Sequence, residues 1–262
     1  MKKVLFCYLD VLGFKNKLET KSEEQQSQIL NSLFGCISFS IPQTLMFQAD
    51  SNQGLIDLES INTNSILISD SLIVWTNDCN CKSIIEFTYR IQRLIRNAFI
   101  AGFPLRGTIE YGSIYHEERN IPTKTSYNHF NLIGGNALMN DYKSEQEFQW
   151  AGCIITQNCT KQILSILDIN DQSLIFKNKV LIKYDAPKKN GETENLYVIN
   201  WVDFILADYC RKNKITELFM QYCKPESLHL AKPKIDNTQK FLNYIVKNNW
   251  GNKIIGVQGK RQ

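Results

Sequence analysis

The sequence predicts an α+β fold of the ferredoxin-like, split βαβ type: an antiparallel or mixed sheet with helices on one face, followed by a C-terminal α/β extension. Three observations predict it. Periodicity over residues 4–156 runs strand, helix, strand pair, helix, strand, helix, strand. Two β-rich runs flank Ser69-Asp70-Ser71, which makes them a hairpin. The helical stripes before and after that hairpin are long enough to cross a sheet, and both connections fold onto one face.

The first strand is the apolar run Val4-Leu5-Phe6-Cys7-Tyr8, which leads through Leu9 to Asp10 and a glycine turn at Gly13. Ile29, Leu30, Leu33, Phe34 and Ile37 then recur at helical spacing over 22–37, with Ser22 as the cap and Glu23 and Glu24 in the first turn. Residues 38–64 are loop-rich, with one short strand expected at Leu45 to Phe47. The hairpin spans 65–75. The clearest helix is 82–101, where Ile84, Phe87, Ile91, Leu94, Ile95 and Ala98 form the apolar stripe and Arg90, Arg93 and Arg96 lie off it. Gly102 and Pro104 stop it. A strand follows from Leu105 to Tyr115, then a polar, loop-like stretch to 128. Leu132 to Asn136 leads into a helix from Ala137 to about Phe148, and 152–156 is a buried strand. Beyond it, a helix is expected over 160–167, strands near 180–183 and 196–201 joined through a turn at Lys188-Lys189-Asn190-Gly191, and helices at about 203–223 and 236–248. The division is a domain over 1–156 and an extension over 157–262.

Composition narrows the class. The chain has 262 residues, 43% hydrophobic and 21% charged, which is ordinary globular usage. A net charge of +4 is too small to imply a nucleic-acid partner, although the segment after 223 is basic, with acids only at Glu226 and Asp236. No apolar stretch reaches the roughly 18 residues of a membrane span, and the apolar run after Lys3 is too short for a secretory signal. The eight cysteines are scattered and read as reduced thiols in a cytoplasmic protein. Cys79-Asn80-Cys81 lacks the further ligands of a zinc site, and His116 and His129 lack a third.

In a ferredoxin-like sheet the first strand and the hairpin are neighbours, so Asp10 and Asp70 converge. Two close carboxylates repel unless a cation sits between them. Such a pair is what a two-metal site for in-line displacement at phosphorus uses, with ions roughly 3.5–4 Å apart. The plainer reading leaves Asp10 as a solvated aspartate in a strand-to-helix turn and Asp70 bonded to its own turn backbone. Amides of the turn Leu12-Gly13-Phe14 suit phosphate. Arg106 either pairs a carboxylate within the fold or reaches a phosphate. Tyr111, Tyr115 and Tyr142 either stack on a base or pack in sheet and helix.

The ordered set Asp10-Val11-Leu12-Gly13-Phe14, Ile68-Ser69-Asp70-Ser71, Leu105-Arg106-Gly107 with Tyr111-Gly112, and Gly135-Asn136-Ala137-Leu138 running into Tyr142-Lys143-Ser144-Glu145 resembles the class III nucleotide cyclases. It is most similar to the bacterial pyrimidine cyclases of the Pycsar antiphage system, over about residues 4–156. The resemblance implies a class III cyclase core in which Asp10 and Asp70 bind two Mg²⁺ or Mn²⁺ ions and the turn amides hold a nucleoside triphosphate. It implies a head-to-tail homodimer with shared sites. The product is then a 3′,5′-cyclic nucleotide plus pyrophosphate, a messenger for a separate effector protein. The family supplies an Asn and an Arg from its last core helix. In register those positions are Met139 and Lys143, with Asn140 one step away. A lysine gives a point charge but not arginine's bidentate fork.

The adenine-reading lysine of the family falls at Ile66, and its partner falls near Asn131 and Leu132. A purine edge left unpaired there costs roughly 1–3 kcal/mol per group. The expected substrate is therefore UTP or CTP, with UTP first on resemblance alone. Two rivals stand beside this reading: a cyclase-like module that senses a nucleotide or partner without turnover, and a palm-like nucleotidyltransferase using the same aspartates.

Overall fold

The computed structural model describes residues 2–19, 21–41, 62–122, 126–203, 206–208 and 214–250. The expected strand at Leu45 to Phe47 lies outside them. The strands β1 (Lys2–Val11), β2 (Thr63–Ile68), β3 (Ser71–Thr76), β4 (Leu105–Pro122), β5 (Tyr127–Gly134), β6 (Gly152–Ile155), β7 (Leu181–Pro187) and β8 (Thr193–Ile199) form one eight-stranded sheet. Its order is β2-β3-β1-β4-β6-β8-β7, with β5 paired to the far half of β4. The first four places are those of a split βαβ unit, with β1 inside between β3 and β4, both antiparallel to it. β4 and β6 are parallel, so the sheet is mixed.

Strand alternation sends β1 to two cores. Leu5, Cys7, Leu9 and Val11 join the cluster of Leu33 and Phe87, from α2 (Glu23–Ser40) and α3 (Cys81–Ile100). Val4, Phe6 and Tyr8 join Ile73, Trp75 and Ala137 on the opposite face. Ala137 belongs to α4 (Asn136–Glu147). Helices on one face is therefore right for α2 and α3, which connect the strands of the split unit, and is corrected for α4.

The caps follow the sequence. Ser22 Oγ accepts from the Gln25 amide, and the Gln25 side-chain oxygen accepts from the Ser22 amide, forming a capping box. All six residues of the α3 stripe are fully buried. Arg90, off that stripe, is buried as well. It bonds the Ile41 carbonyl at 3.2 Å and pairs with Glu86 on its own helix. Arg96 pairs with Asp203.

The polar stretch after Tyr115 is not a loop. β4 runs on to Pro122 and β5 returns along it, with Tyr115 opposite Gly134 and Pro122 opposite Tyr127. Backbone pairing holds this ribbon, so no buried face forces the apolar alternation that marks a strand in sequence.

The C-terminal elements extend the same sheet. α5 (Gln157–Ile166) starts at Thr156, whose hydroxyl accepts from the Cys159 amide. α6 (Ile169–Phe176) was not expected. It is short, and Asp168 opens it by accepting from the Asp171 amide at 2.7 Å. β8 pairs with β6, and β7 with β8, through a turn in which Gly191 takes φ 86°. The helix expected over 203–223 shows, in its last part, only α7 (Ile215–Met220); part of that range lies outside the described residues. α8 (Leu228–Lys247) begins earlier than the expected 236, with Pro233 inside it. Trp150, Trp201 and Phe241 knit α8 to the sheet, with ring centroids 4.8 Å apart for Trp150–Phe241 and 6.0 Å for Trp201–Phe241.

Candidate active site

Asp10 stands at the end of β1 on the face of Phe6 and Tyr8 and pairs in register with Ser71 on one side and Arg106 on the other. Ser69 and Asp70 are the two-residue turn between β2 and β3. Ser69 takes φ 58°, as tight hairpin turns require. The Val11 amide donates to the Asp70 carbonyl at 3.0 Å, extending the β1–β3 pairing into the turn. The backbones of Asp10 and Asp70 are therefore one residue apart across that pairing, as the sequence led one to expect. Both side chains are partly exposed, Asp10's at 23%.

Arg106 supplies the local positive charge. It is buried at 8% exposure, with Nη2 3.4 Å from Asp10 Oδ2 and Nη1 donating to the Phe148 carbonyl at 3.0 Å. Of the two roles left open by the sequence, pairing a carboxylate within the fold is the one seen. Gly107 makes the packing possible. A Cβ there would lie 2.2 Å from the Tyr8 carbonyl oxygen and 2.5 Å from Leu9 Cδ2.

Sequence reasoning missed two neighbours. The Tyr8 hydroxyl lies 2.6 Å from Ser71 Oγ, and buried Thr108 pairs in register with Tyr8. Their signal was strand parity: residues an even step from Asp10 along β1, and their partners, share its face.

The turn expected to hold phosphate differs from that expectation in one respect. The Leu12 amide donates to the Pro104 carbonyl at 2.9 Å, so it is already committed and drops out of the expected set. Gly13, at φ 74°, opens the short α1 (Phe14–Leu18), and the first amides of a helix have no partner within it. The Leu12 and Phe14 side chains are buried core.

Tyr111 does not join this group within one chain. It pairs with Leu5, so it lies on the α2–α3 face, five positions along β1 from Asp10. That is roughly 16 Å at about 3.3 Å per residue. The periodicity that makes Tyr111 a strand residue also turns it away. Tyr115, 37% exposed, is out on the ribbon, and its hydroxyl bonds Glu117. Asn140 and Lys143 are on α4, and their side chains, like that of Tyr142, lie outside the described residues. Met139 on the same helix is 65% exposed. Ile66 packs on the Trp75 cluster, and Asn131 and Leu132 are exposed on β5.

No group of three or more His, Cys, Asp or Glu is placed to hold a metal among the described residues. No helix among them is long and apolar enough to cross a membrane.

The fold and site together define an α+β protein with a split βαβ core in which Asp10 contacts Arg106 and the Asp70 turn adjoins the end of β1. No known family model matches the chain, and no curated protein matches it. Among solved structures the chain is similar to the crystal structure of the adenylyl cyclase CyaB from P. aeruginosa. The identity is 14% and the TM-score 0.46, over 76% of this chain and 94% of that one.

Proposed function

We propose that this chain is a metal-dependent nucleotide cyclase. It converts a nucleoside triphosphate, UTP before CTP, to the 3′,5′-cyclic monophosphate and pyrophosphate. The observation that carries the reading is the meeting of a strand-end aspartate and a hairpin-turn aspartate, Asp10 and Asp70, across the β1–β3 pairing.

The donor chemistry fits the metal. Two partly exposed carboxylates offer hard oxygens, and Mg²⁺ is commonly bound by one or two carboxylates with water and substrate phosphates completing the shell. Asp10 and Asp70 would hold Mg²⁺ or Mn²⁺, which supplies charge stabilisation and a more acidic ribose hydroxyl. The chain's own residues do the rest. The amides of Gly13 and Phe14 orient the phosphates, and Lys143 and Asn140 are the substrate-facing candidates on α4, the helix whose Ala137 packs on the same sheet face as Asp10. Arg106 neutralises Asp10 before substrate arrives. The ribose 3′-hydroxyl gives its proton to water as its oxygen bonds the α-phosphorus in line, and the bond from the α-phosphorus to the bridging oxygen breaks so that pyrophosphate leaves. Catalysis of this kind is positioning and charge stabilisation.

A homodimer is part of the proposal. One side of the β4–β5 ribbon carries Tyr115, Ile121, Phe130 and Leu132, all exposed. Exposed apolar side chains gathered on one face, here interleaved with the Glu117–Arg119 pair, suit an interaction site. The product would signal to a separate effector in the bacterial cytoplasm, in antiphage defence. Incubation with all four ribonucleoside triphosphates and Mn²⁺, with products separated by mass, tests the reading. Cyclic UMP or CMP is expected; linear adducts would point to a nucleotidyltransferase.

A second reading has its own support. Arg106 already balances Asp10 without a metal, and Met139 stands where the resemblance expects an asparagine. A cyclase-like module sensing a nucleotide or partner would bind triphosphate in that assay and leave it intact.

A further inference from the structure

Lys17 is a buried charge that the proposed chemistry does not use. It lies on α1, four residues after Gly13, and is fully buried. Its ammonium donates to the Phe219 carbonyl at 3.2 Å and the Gln221 carbonyl at 2.8 Å, and it lies 3.5 Å from Cys223 Sγ. The Tyr222 ring centroid is 6.0 Å away. Three donors on an ammonium thus meet two carbonyls and a thiol, all in one turn of the C-terminal segment. A buried ammonium is costly unless its hydrogen bonds are made, so α1 and this turn are held at one distance from each other.

The same turn is docked on the start of β4. The Gln221 side chain fills the space beside Gly102, where an added Cβ would come within 2.5 Å of Gln221 Oε1. Tyr222 stacks on Phe103 at 5.6 Å, and Phe219 meets Phe99 edge-on at 5.5 Å. The next residue, Pro104, accepts the Leu12 amide, and Arg106 beyond it pairs with Asp10. Gly13 and Cys223 line one surface cleft. The turn at 219–223 therefore grips both chain segments that frame the end of β1.

We propose that Lys17 is a positioning residue, registering the Gly13 turn against the 219–223 turn so that the C-terminal extension sets the geometry of the phosphate end of the site. The functional half rests on the cyclase reading above; the mechanical half does not.

The full chain carrying Lys17→Met, which keeps the bulk and removes the donors, is the test. Tyr222→Ala loosens the same turn from its other side, should the first variant fail to fold. Two readouts are taken. Amide hydrogen exchange over residues 13–18 should rise at least about tenfold while 72–76 in β3 stays within about twofold, the pattern of a local rather than a global opening. KM for the triphosphate should rise about tenfold with kcat within about threefold, the signature of lost binding rather than lost chemistry. Exchange that rises evenly in both regions, or not at all in 13–18, overturns the proposal and leaves Lys17 a core anchor. Faster local exchange with an unchanged KM overturns the functional half. If the wild-type chain turns over none of the four triphosphates, the cyclase reading falls, and the exchange comparison alone decides whether Lys17 registers the turn.

Discussion

Replacing Arg106 by methionine separates the metal reading of Asp10 from a purely structural one, because both predict a loss of stability and only the metal reading predicts a gain in metal affinity. The interactions of its side chain include a bond to the Phe148 carbonyl at 3.0 Å and a contact with Asp10 at 3.4 Å. Leaving a buried carbonyl without its donor costs about 1–3 kcal/mol. The half-buried, long ion pair adds at most about 1 kcal/mol. A loss near 2 kcal/mol lowers Tm by roughly 4–8 °C in a chain of this size, at about 2–4 °C per kcal/mol. Metal affinity should move the other way. A cation at Asp10 sits within several ångströms of the guanidinium, where unit charges interact by roughly 1–4 kcal/mol at an effective dielectric of about 20. Removing that repulsion should tighten Mn²⁺ binding by about tenfold or more, the equivalent of at least about 1.4 kcal/mol. Titration of free Mn²⁺ by electron paramagnetic resonance reads the affinity, and a thermal melt reads the stability. A folded Arg106→Met protein that binds Mn²⁺ no tighter than wild type would refute the claim that Asp10 is a metal ligand in competition with Arg106.

Asp10→Asn and Asp70→Asn should each leave a folded protein and lower cyclisation at least about a hundredfold, since each removes a charged ligand; near-normal turnover at either position would defeat the two-aspartate site. Gly107→Ala should destabilise by about 1–3 kcal/mol or more in chemical denaturation, because the new methyl meets the Tyr8 carbonyl, a backbone atom that cannot swing aside. Burial holds the Lys17 ammonium below its ordinary 10.5, against a smaller opposing pull from Cys223. The unfolded chain therefore binds the proton more tightly, and wild type should gain stability relative to Lys17→Met as pH rises from the lowered value toward 10.5. A difference flat across that window would remove the linkage. The Cys79 thiol, pushed up to about 11 chiefly by burial, should resist alkylation at pH 8.5, where mapping by peptide mass would find Cys79 unlabelled.

Local pattern made much of the fold legible. The α3 stripe, the Ser22 cap and the hairpin about Asp70 each depend on residues within a few positions of one another, and each is found as expected. The ribbon beyond Tyr115 was not legible, because its strands are held by each other's backbone and carry Glu117, Glu118 and Arg119 where a packed strand would alternate. Nor was α6, whose eight residues are too few for a periodic signal. Of the candidate site, the positions of Asp10 at a strand end and Asp70 in a hairpin turn were legible from local pattern. Tyr111 was offered as an aromatic to pack a base, and register puts it on the other face from Asp10 within one chain.

What the sequence determined by itself, then, is the order of elements in the split unit and the nearness of the Asp10 and Asp70 backbones, since both follow from short-range periodicity and from the few topologies a split βαβ unit allows. What only the tertiary structure decided is how the charges there are balanced. Arg106 is 96 residues from Asp10 in the chain, and Lys17 is 202 from Phe219. Arg106 stands on an otherwise apolar strand start and Lys17 among other polar residues, and nothing nearby in sequence names the partner of either. A buried charge takes whichever acceptors the closed fold brings within about 3 Å, and that set exists only once the sheet has brought β1, β4 and the C-terminal turn together.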